Sequence, residues 1–162
     1  MSVILSLTEG FHVRTFTDID QLAAAVGEDL GTSEWIEIDQ ARVDLFADAT
    51  DDHQWIHVDP EQAAAGPFGA TIAHGYLTAS LIPALSASIF SVETDGPRLN
   101  YGLNKVRFPN PVLVGKRVRA QATLAELVDV PAGKQLVVRY TVEIEGETKP
   151  ACVAETVVLL LG

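Results

Sequence analysis

The longest uncharged stretch of the chain constrains its fold more than any other feature. Ile72–Val92 contains no Asp, Glu, Lys or Arg, and His74 is its one residue that could carry a charge. The stretch is long enough for a membrane span, but Thr78, Pro83 and four serines interrupt it and polar sequence flanks it. We therefore predict a buried helix from about Gly75 to Phe90 in a soluble domain, wrapped by other elements because it is apolar nearly all round.

The sequence after this helix has the composition of such a wrapper. Pro-Asn-Pro, Pro-Ala-Gly and Glu-Gly-Glu turns separate four stretches with strand composition, which are Arg98–Arg107, Arg117–Val130, Gln135–Gly146 and Ala151–Leu161. Together with an earlier short strand around Ile36, they predict an α+β domain in which a curved antiparallel sheet encloses the central helix.

Shorter elements precede the central helix. Asp18–Val26 has the pattern of a small helix that ends at Gly27, and Asp39 can cap a second helix that ends near Ala49. Asp59-Pro60-Glu61-Gln62 is a capping box that begins a third. Thr50–Val58 has no clear periodicity, and we predict that it is a polar loop.

Length and charge limit the organisation and the partners of the chain. Its 162 residues fit one domain, which we place at residues 17–162 after a lead-in of residues 1–16. A formal charge of −11 disfavours nucleic acid and membrane surfaces as partners. The single cysteine, Cys152, is expected to be a buried thiol. The start of the chain lacks the pattern of a secretory signal, so we expect a cytoplasmic protein.

The predicted loop holds the densest group of chemically useful side chains. Asp52 and His57 could converge across it on one small molecule, for example a water, with the carboxylate accepting a proton and the imidazole holding or returning one. A turn-capping carboxylate and a surface histidine remain the alternative. A metal site of His53, His57 and Asp51 or Asp52 is not expected, because the i, i+4 histidines converge only on a helix.

A second polar point lies where the central helix is predicted to begin. The N–H of Gly75 has no helical acceptor there, and without a side chain this residue lets a ligand oxygen approach, as an oxyanion site requires. The alternative is a glycine that is needed for tight packing. His74 is expected to support the site, either by contacting substrate or by bonding the backbone at the helix start. Neither a nucleophile elbow nor a phosphate-binding glycine pattern is present in the sequence.

At these residues the sequence resembles a known family. Phe46–Ala63, F-A-D-A-T-D-D-H-Q-W-I-H-V-D-P-E-Q-A, is similar to the hydratase motif of MaoC-like (R)-specific enoyl-CoA hydratases. Gly66–Thr78, G-P-F-G-A-T-I-A-H-G-Y-L-T, resembles the segment that enters the central helix of their hot-dog fold. The resemblance extends from about Leu22 to the C-terminus. It is closest to the single-domain branch with nodulation-protein-N-like sequences, in which Gln54 and Trp55 replace Asn and Pro.

The resemblance implies a function for the candidate residues. Asp52 and His57 would hold one water and add it to a trans-2-enoyl-CoA, while the N–H of Gly75 holds the thioester oxygen. The product would be an (R)-3-hydroxyacyl thioester, formed by a homodimer without metal or organic cofactor. A dehydratase that acts on acyl-carrier-protein substrates and a non-catalytic acyl-thioester-binding protein remain alternatives.

The sequence departs from the family pattern at two positions, and it also contains candidate cations for binding phosphate. Asp51 stands where the family usually has glycine, and aspartate tolerates the positive φ that a glycine there allows. Pro83 lies near the position at which some hydratases have a serine. The phosphates of the carrier need cations, and the candidates near the Pro-Asn-Pro turn are Lys105, Arg107, Lys116, Arg117 and Arg119.

Overall fold

The computed structural model describes residues 13–162, which contain short helices and a dominant antiparallel sheet. The helices are α1 (Ile19–Ala24), α2 (Gln40–Thr50), α3 (Trp55–Val58), α4 (Pro60–Ala64), α5 (Gly75–Ser80) and α6 (Ile82–Ser86). The strands are β1 (Arg14–Phe16), β2 (Asp29–Thr32), β3 (Ile36–Glu37), β4 (Phe90–Val92), β5 (Arg98–Arg107), β6 (Arg117–Val130), β7 (Gly133–Ile144) and β8 (Cys152–Leu161).

The main sheet has the strand order β2-β6-β7-β8-β5, and β3 also pairs with β6. All of its pairings are antiparallel. The four long strands that the sequence predicts are confirmed, and β5 and β6 have the predicted bounds. The sequence misses β2, because Asp29-Leu30-Gly31-Thr32 has little strand pattern of its own and is held by pairing with β6.

The central helix is confirmed, but it is shorter than predicted and has a break. Leu81 separates α5 from α6, and Pro83 follows, which has no N–H to donate to the preceding turn. The helix ends at Ser86, and Phe90 already begins β4, which pairs with β1. Within residues 13–162, no helix is long and apolar enough to cross a membrane.

The central helix packs on the sheet along one face. Its buried side chains join the inward side chains of β6 in one core, and Val118, Ala120, Ala122 and Leu124 of that strand are fully buried. The opposite face carries Tyr76, which is 72% exposed. The sheet therefore covers one face of the helix, as the predicted wrapper does, and the face that carries Tyr76 is open within residues 13–162.

Two local expectations need correction. Arg14–Phe16, assigned to the lead-in, form a strand parallel to β4, and Phe16 is 1% exposed in the core. The ordered domain therefore includes these residues, while residues 1–12 of the predicted lead-in lie outside the described residues. Thr50–Val58 is not a loop throughout, because Trp55–Val58 form one helical turn. A turn of four residues is too short to produce a sequence period.

The left-handed backbone at Asp51 ends α2. Its φ of 58° and ψ of 20° fit the sequence expectation for a residue that stands in place of glycine. Among the described residues, it is the one non-glycine residue with positive φ. Aspartate adopts this conformation more readily than most residues, because its short polar side chain can bond locally.

We expect Asp51→Ala to be less stable than Asp51→Gly by about 1 kcal/mol, because alanine in the left-handed region brings Cβ too close to the next carbonyl. Urea unfolding of both variants measures the difference. Ala49, exposed in the last turn of α2, provides the control, since Ala49→Gly should instead lower the free energy of unfolding. An Asp51→Ala variant as stable as Asp51→Gly would contradict the assignment.

Candidate active site

An extended segment, Thr71–His74, joins the polar loop to the sheet side of the domain. The N–H of Ile72 donates to the carbonyl of Ile56 at 3.0 Å, and the N–H of Ala73 donates to the carbonyl of Val112 at 2.8 Å. Ile72 also forms an isolated antiparallel bridge with Leu113. The segment therefore fixes the loop against the chain that leads into β6.

His57 is oriented by this segment. Its Nδ1 lies 2.6 Å from the carbonyl oxygen of Ile72, and because a carbonyl can only accept, Nδ1 must carry the hydrogen. The lone pair is therefore on Nε2. The side chain is buried, with 6% of the residue exposed. Burial is the main cause that lowers the pKa of His57, and nearby His74 lowers it further, while the Ile72 hydrogen bond and Asp52 act in the opposite direction.

Gln40, which the sequence analysis missed, holds the backbone of the same residue. Its Nε2 donates to the carbonyl of His57 at 2.7 Å, and its Oε1 accepts from the hydroxyl of Thr71 at 2.6 Å. One amide therefore links α2, α3 and the extended segment. A polar residue directly after the Asp39 cap has no sequence signal that distinguishes it from an ordinary helix start, so only the fold reveals this contact.

His74 brings Asp52 to His57. Its Nε2 donates to the main-chain carbonyl of Asp52 at 3.0 Å, and its ring stacks on His57 with the centroids 3.8 Å apart. One ligand atom from each of the three side chains lies within 4.8 Å of the others. Asp52 and His57, which the sequence analysis paired, therefore lie close together. His74 contacts both of these residues.

This cluster has the groups that a reactive water needs. The Asp52 side chain is exposed, so a ligand can reach it, while His57 is buried with its free lone pair on Nε2. A divalent cation would use the same carboxylate and imidazoles, so donor type alone leaves both occupants open. The metal-ligand pair of His53 and His57 that was considered from the sequence is not formed. The His53 side chain is exposed, and its Nε2 lies 2.8 Å from Oδ1 of Asp48 instead.

Gly75 begins α5, as expected, and its missing side chain has a packing role. A Cβ built at this position would lie 2.8 Å from Cδ2 of Phe108, and such a contact requires the ring to move. The ring of Phe108 also makes an edge contact with Tyr76 at 6.0 Å. Close packing is therefore sufficient to require a glycine at this position. Donation from its N–H to an oxyanion would be a second, separate role.

A groove of about 700 Å³ runs beside the exposed face of the central helix. Tyr76, the residue after Gly75, lines it together with Pro83 and Ala87, and β5 and β8 provide the opposite wall. Its lining includes the hydroxyls of Ser86 and Tyr140, which lie 2.8 Å apart. Burial raises the pKa of Tyr140 to about 12, so this hydroxyl is neutral at physiological pH, while Arg98 contributes a positive charge to the otherwise mainly apolar lining.

The structure divides the five candidate phosphate-binding cations. Arg117 pairs with Glu145, Arg119 with Glu143 at 2.8 Å, and Lys116 with Glu147 at 3.8 Å. Lys105 lies opposite Glu155 on β8, whereas Arg107 forms no ion pair within residues 13–162 and bonds to the carbonyl of Val106. Arg107 precedes Phe108 in the chain, and the ring of Phe108 packs against Gly75.

Known proteins are similar to this chain in sequence and in structure. The sequence profile of the MaoC like domain matches residues 21–147. The 3-hydroxyacyl-thioester dehydratase Z of Mycobacterium tuberculosis is 57% identical over 147 residues, which cover 90% of this chain and 97% of that protein. Nodulation protein N of Rhizobium leguminosarum bv. viciae is 49% identical over 139 residues, or 83% and 86% of the two chains. The solved (R)-hydratase from A. caviae involved in PHA biosynthesis is 26% identical, with a TM-score of 0.67 over 83% of this chain and 96% of that one.

The clash at Gly75 leads to a test that separates packing from ligand approach. We expect Gly75→Ala to lower both the melting temperature and the catalytic activity of the protein, because the added methyl group clashes with the Phe108 ring. Adding Phe108→Ala should restore the melting temperature. If the position also receives a ligand oxygen, activity should stay low in the double variant, compared with Phe108→Ala alone as the control. Full recovery would leave only the packing role.

Proposed function

We propose that this chain, which belongs to the MaoC-like domain family, is a hydro-lyase that adds water to trans-2-enoyl-CoA and forms (R)-3-hydroxyacyl-CoA. The observation that carries the proposal is the arrangement of Asp52 and His57. The Nδ1–H of His57 is bonded to Ile72, so its Nε2 can accept a proton, and a ring nitrogen of His57 lies within 4.8 Å of an Asp52 carboxylate oxygen. Two acceptors that converge on one point suit a water that must lose a proton as it attacks.

The reaction can be followed atom by atom with this pair. A water held by Asp52 and His57 forms a bond from its oxygen to C3 of the enoyl thioester. The C2–C3 π electrons move toward the thioester carbonyl as the pair takes up the proton of the water. The same pair returns that proton to C2, so it ends in its starting protonation state. The reverse sequence removes water from a 3-hydroxyacyl thioester.

The N–H of Gly75 is the proposed donor to the thioester oxygen. It is the first residue of α5, so helical bonding does not use this N–H. His74, the preceding residue, contacts both members of the catalytic pair. The donor and the pair are therefore held by two adjacent residues, which fits a reaction in which negative charge develops on one atom while a neighbouring carbon is attacked.

The groove supports an acyl thioester as the substrate. It begins at Tyr76 beside the proposed oxyanion donor and continues along the helix past Pro83 and Ala87. A mainly apolar groove of about 700 Å³ is within the range of ligand sites and suits an acyl chain. Arg107 is the proposed contact for carrier phosphates, with Lys105 and Lys116 as weaker candidates because carboxylates lie close to both.

A homodimer would cover the open edge of the sheet. The strand order ends at β5, and Leu99, Tyr101 and Leu103 on this strand are 48%, 67% and 49% exposed. An edge strand that carries exposed apolar side chains favours pairing with another chain. β5 also lines the groove, so a second copy at this edge would complete its outer wall. A cytoplasmic location is part of the same proposal.

The alternative direction and carrier remain second candidates on specific grounds. One relative is named a 3-hydroxyacyl-thioester dehydratase, which favours dehydration as a physiological direction. An acyl-carrier-protein substrate would use the same catalytic pair and differ in the surface around Arg107. A purely binding role has less support, because binding an acyl chain does not require a buried histidine with its lone pair beside a carboxylate.

We expect Asp52→Asn and His57→Gln each to reduce kcat for crotonyl-CoA by about 10²–10⁴-fold, because each removes one positioned proton acceptor. Loss of enoyl-thioester absorbance measures turnover, and chiral analysis should show the (R)-alcohol. The lowered pKa of His57 places the acid limb of kcat/KM below the ordinary histidine value of about 6.5, since protonated His57 cannot accept a proton. Rates within a few-fold of the parent would remove the assignment.

The cofactor-free mechanism has a separate control. Turnover should survive chelation, and activity that chelation abolishes and a divalent metal restores would assign the cluster to a metal instead. If crotonyl-CoA and longer enoyl-CoA substrates are all inert, the same assay with acyl-carrier-protein substrates decides between a carrier preference and a binding role.

We expect the protein to be a dimer at micromolar concentration by light scattering. Leu99→Glu should shift it toward monomer, because the charge falls on the proposed edge interface without lining the groove. Leu45, which is 71% exposed on α2, provides the matched control, and Leu45→Glu should leave the dimer intact. A monomeric parent would contradict the proposed assembly.

A further inference from the structure

His74 contacts every part of the catalytic arrangement that has to be held in place. Its Nε2 bonds the main chain of Asp52 at 3.0 Å, and its ring stacks on His57 at 3.8 Å. Phe46, from α2, packs against the same ring with the centroids 5.0 Å apart. Gly75 follows it directly in the chain. A displacement of this one imidazole would therefore be transmitted to both catalytic side chains.

Core packing by itself does not account for a histidine at this position. His74 is 2% exposed, and its Nδ1 is buried with no hydrogen-bond partner in the described part of the chain. Buried polar atoms are normally paired, and an unpaired one is costly. A phenylalanine ring would fill the space between Phe46 and His57 without leaving a lone pair unsatisfied. What it would lack is the N–H that reaches Asp52.

The hydrogen-bond partner of His74 also fixes its tautomer. The Asp52 carbonyl can only accept, so Nε2 carries the hydrogen and the unpaired lone pair is on Nδ1. His57 has the opposite arrangement, with its hydrogen on Nδ1. The two stacked rings therefore donate from opposite nitrogens to two main-chain carbonyls. One bond orients His57, and the other holds the loop that carries Asp52.

We propose that His74 is a positioning residue for the hydratase reaction, whose Nε2–H bond to the Asp52 main chain and stacking on His57 keep the carboxylate and the imidazole convergent on one water. The inference rests on the proposed function for its catalytic consequence and on the geometry for the contact itself. Misplacement of a catalytic group by about 1 Å can cost on the order of 10²-fold in rate.

Two substitutions separate the hydrogen bond from the packing. Glutamine keeps a side-chain N–H that can reach the Asp52 carbonyl, whereas phenylalanine keeps the flat ring and loses the donor. We expect His74→Phe to lower kcat by about 10- to 100-fold with KM within a few-fold of the parent, because the acyl groove is lined by other residues. His74→Gln should recover most of that loss.

The order of the two variants decides between the roles. A residue that only packs would tolerate phenylalanine better than glutamine, so kcat of His74→Phe equal to or above that of His74→Gln would overturn the proposal. The melting temperature of His74→Phe should match or exceed that of the parent, which excludes unfolding as the cause of lost turnover. His53, exposed and bonded to Asp48, is the matched control, and His53→Phe and His53→Gln should both leave kcat unchanged.

A spectroscopic measurement tests the contact without depending on turnover. Long-range proton–nitrogen correlation spectra of the labelled parent protein should show His74 with its hydrogen on Nε2 and His57 with its hydrogen on Nδ1 at neutral pH. A His74 ring without a hydrogen on Nε2 would overturn the proposal even in an active enzyme. If no thioester is turned over, the proposed function fails. The positioning contact of His74 would still be supported by the expected tautomers, together with amide shifts of Asp52 that change in His74→Phe but not in His74→Gln.

Discussion

The hydrogen bond from Nδ1 of His57 to the carbonyl of Ile72 is the contact on which the rest of the site depends. It is buried and short, at 2.6 Å, and it spans 15 residues of sequence. By occupying Nδ1 it leaves Nε2 as the ring nitrogen that can accept a proton. By occupying the Ile72 carbonyl it gives the extended segment a partner on its loop side, while Val112 serves the adjacent residue on the sheet side. This bond therefore joins the His57 imidazole directly to the extended segment.

The one-sided burial of the central helix explains how a small domain can have both a core and an open groove. The face that carries Leu77 and Leu85 packs on the sheet, where Ala120 and Ala122 leave room for close approach. The face that carries Tyr76 and Pro83 borders the groove. The helix is apolar nearly all round because one face packs in the core and the other face borders the groove.

The sequence predicts these parts to different extents, and the reason is the range of the interactions. Long strands such as β5 and β6 have turn signals at both ends, and their bounds follow from them. Asp52 and His57 are recognisable because their spacing is local. Gln40 reaches Thr71 across 31 residues, and His74 reaches Asp52 across 22, so no local pattern reveals either contact. The ion pairs that occupy Arg117 and Arg119 are likewise set by the register of β6 with β7.

The same distinction bears on the second carboxylate beside the catalytic pair. Sequence alone leaves open whether Asp51 spoils the site by its charge or merely replaces a glycine in the backbone. The structure gives Asp51 the left-handed conformation that a glycine would adopt, so Asp52 still follows a turn of the required shape. The pKa of His53 is raised, first by its hydrogen bond to Asp48, and Asp51 adds to that effect. This effect of Asp51 falls on an imidazole outside the candidate pair. Because Asp51 keeps the backbone shape that a glycine would give, it offers little support for a non-catalytic role.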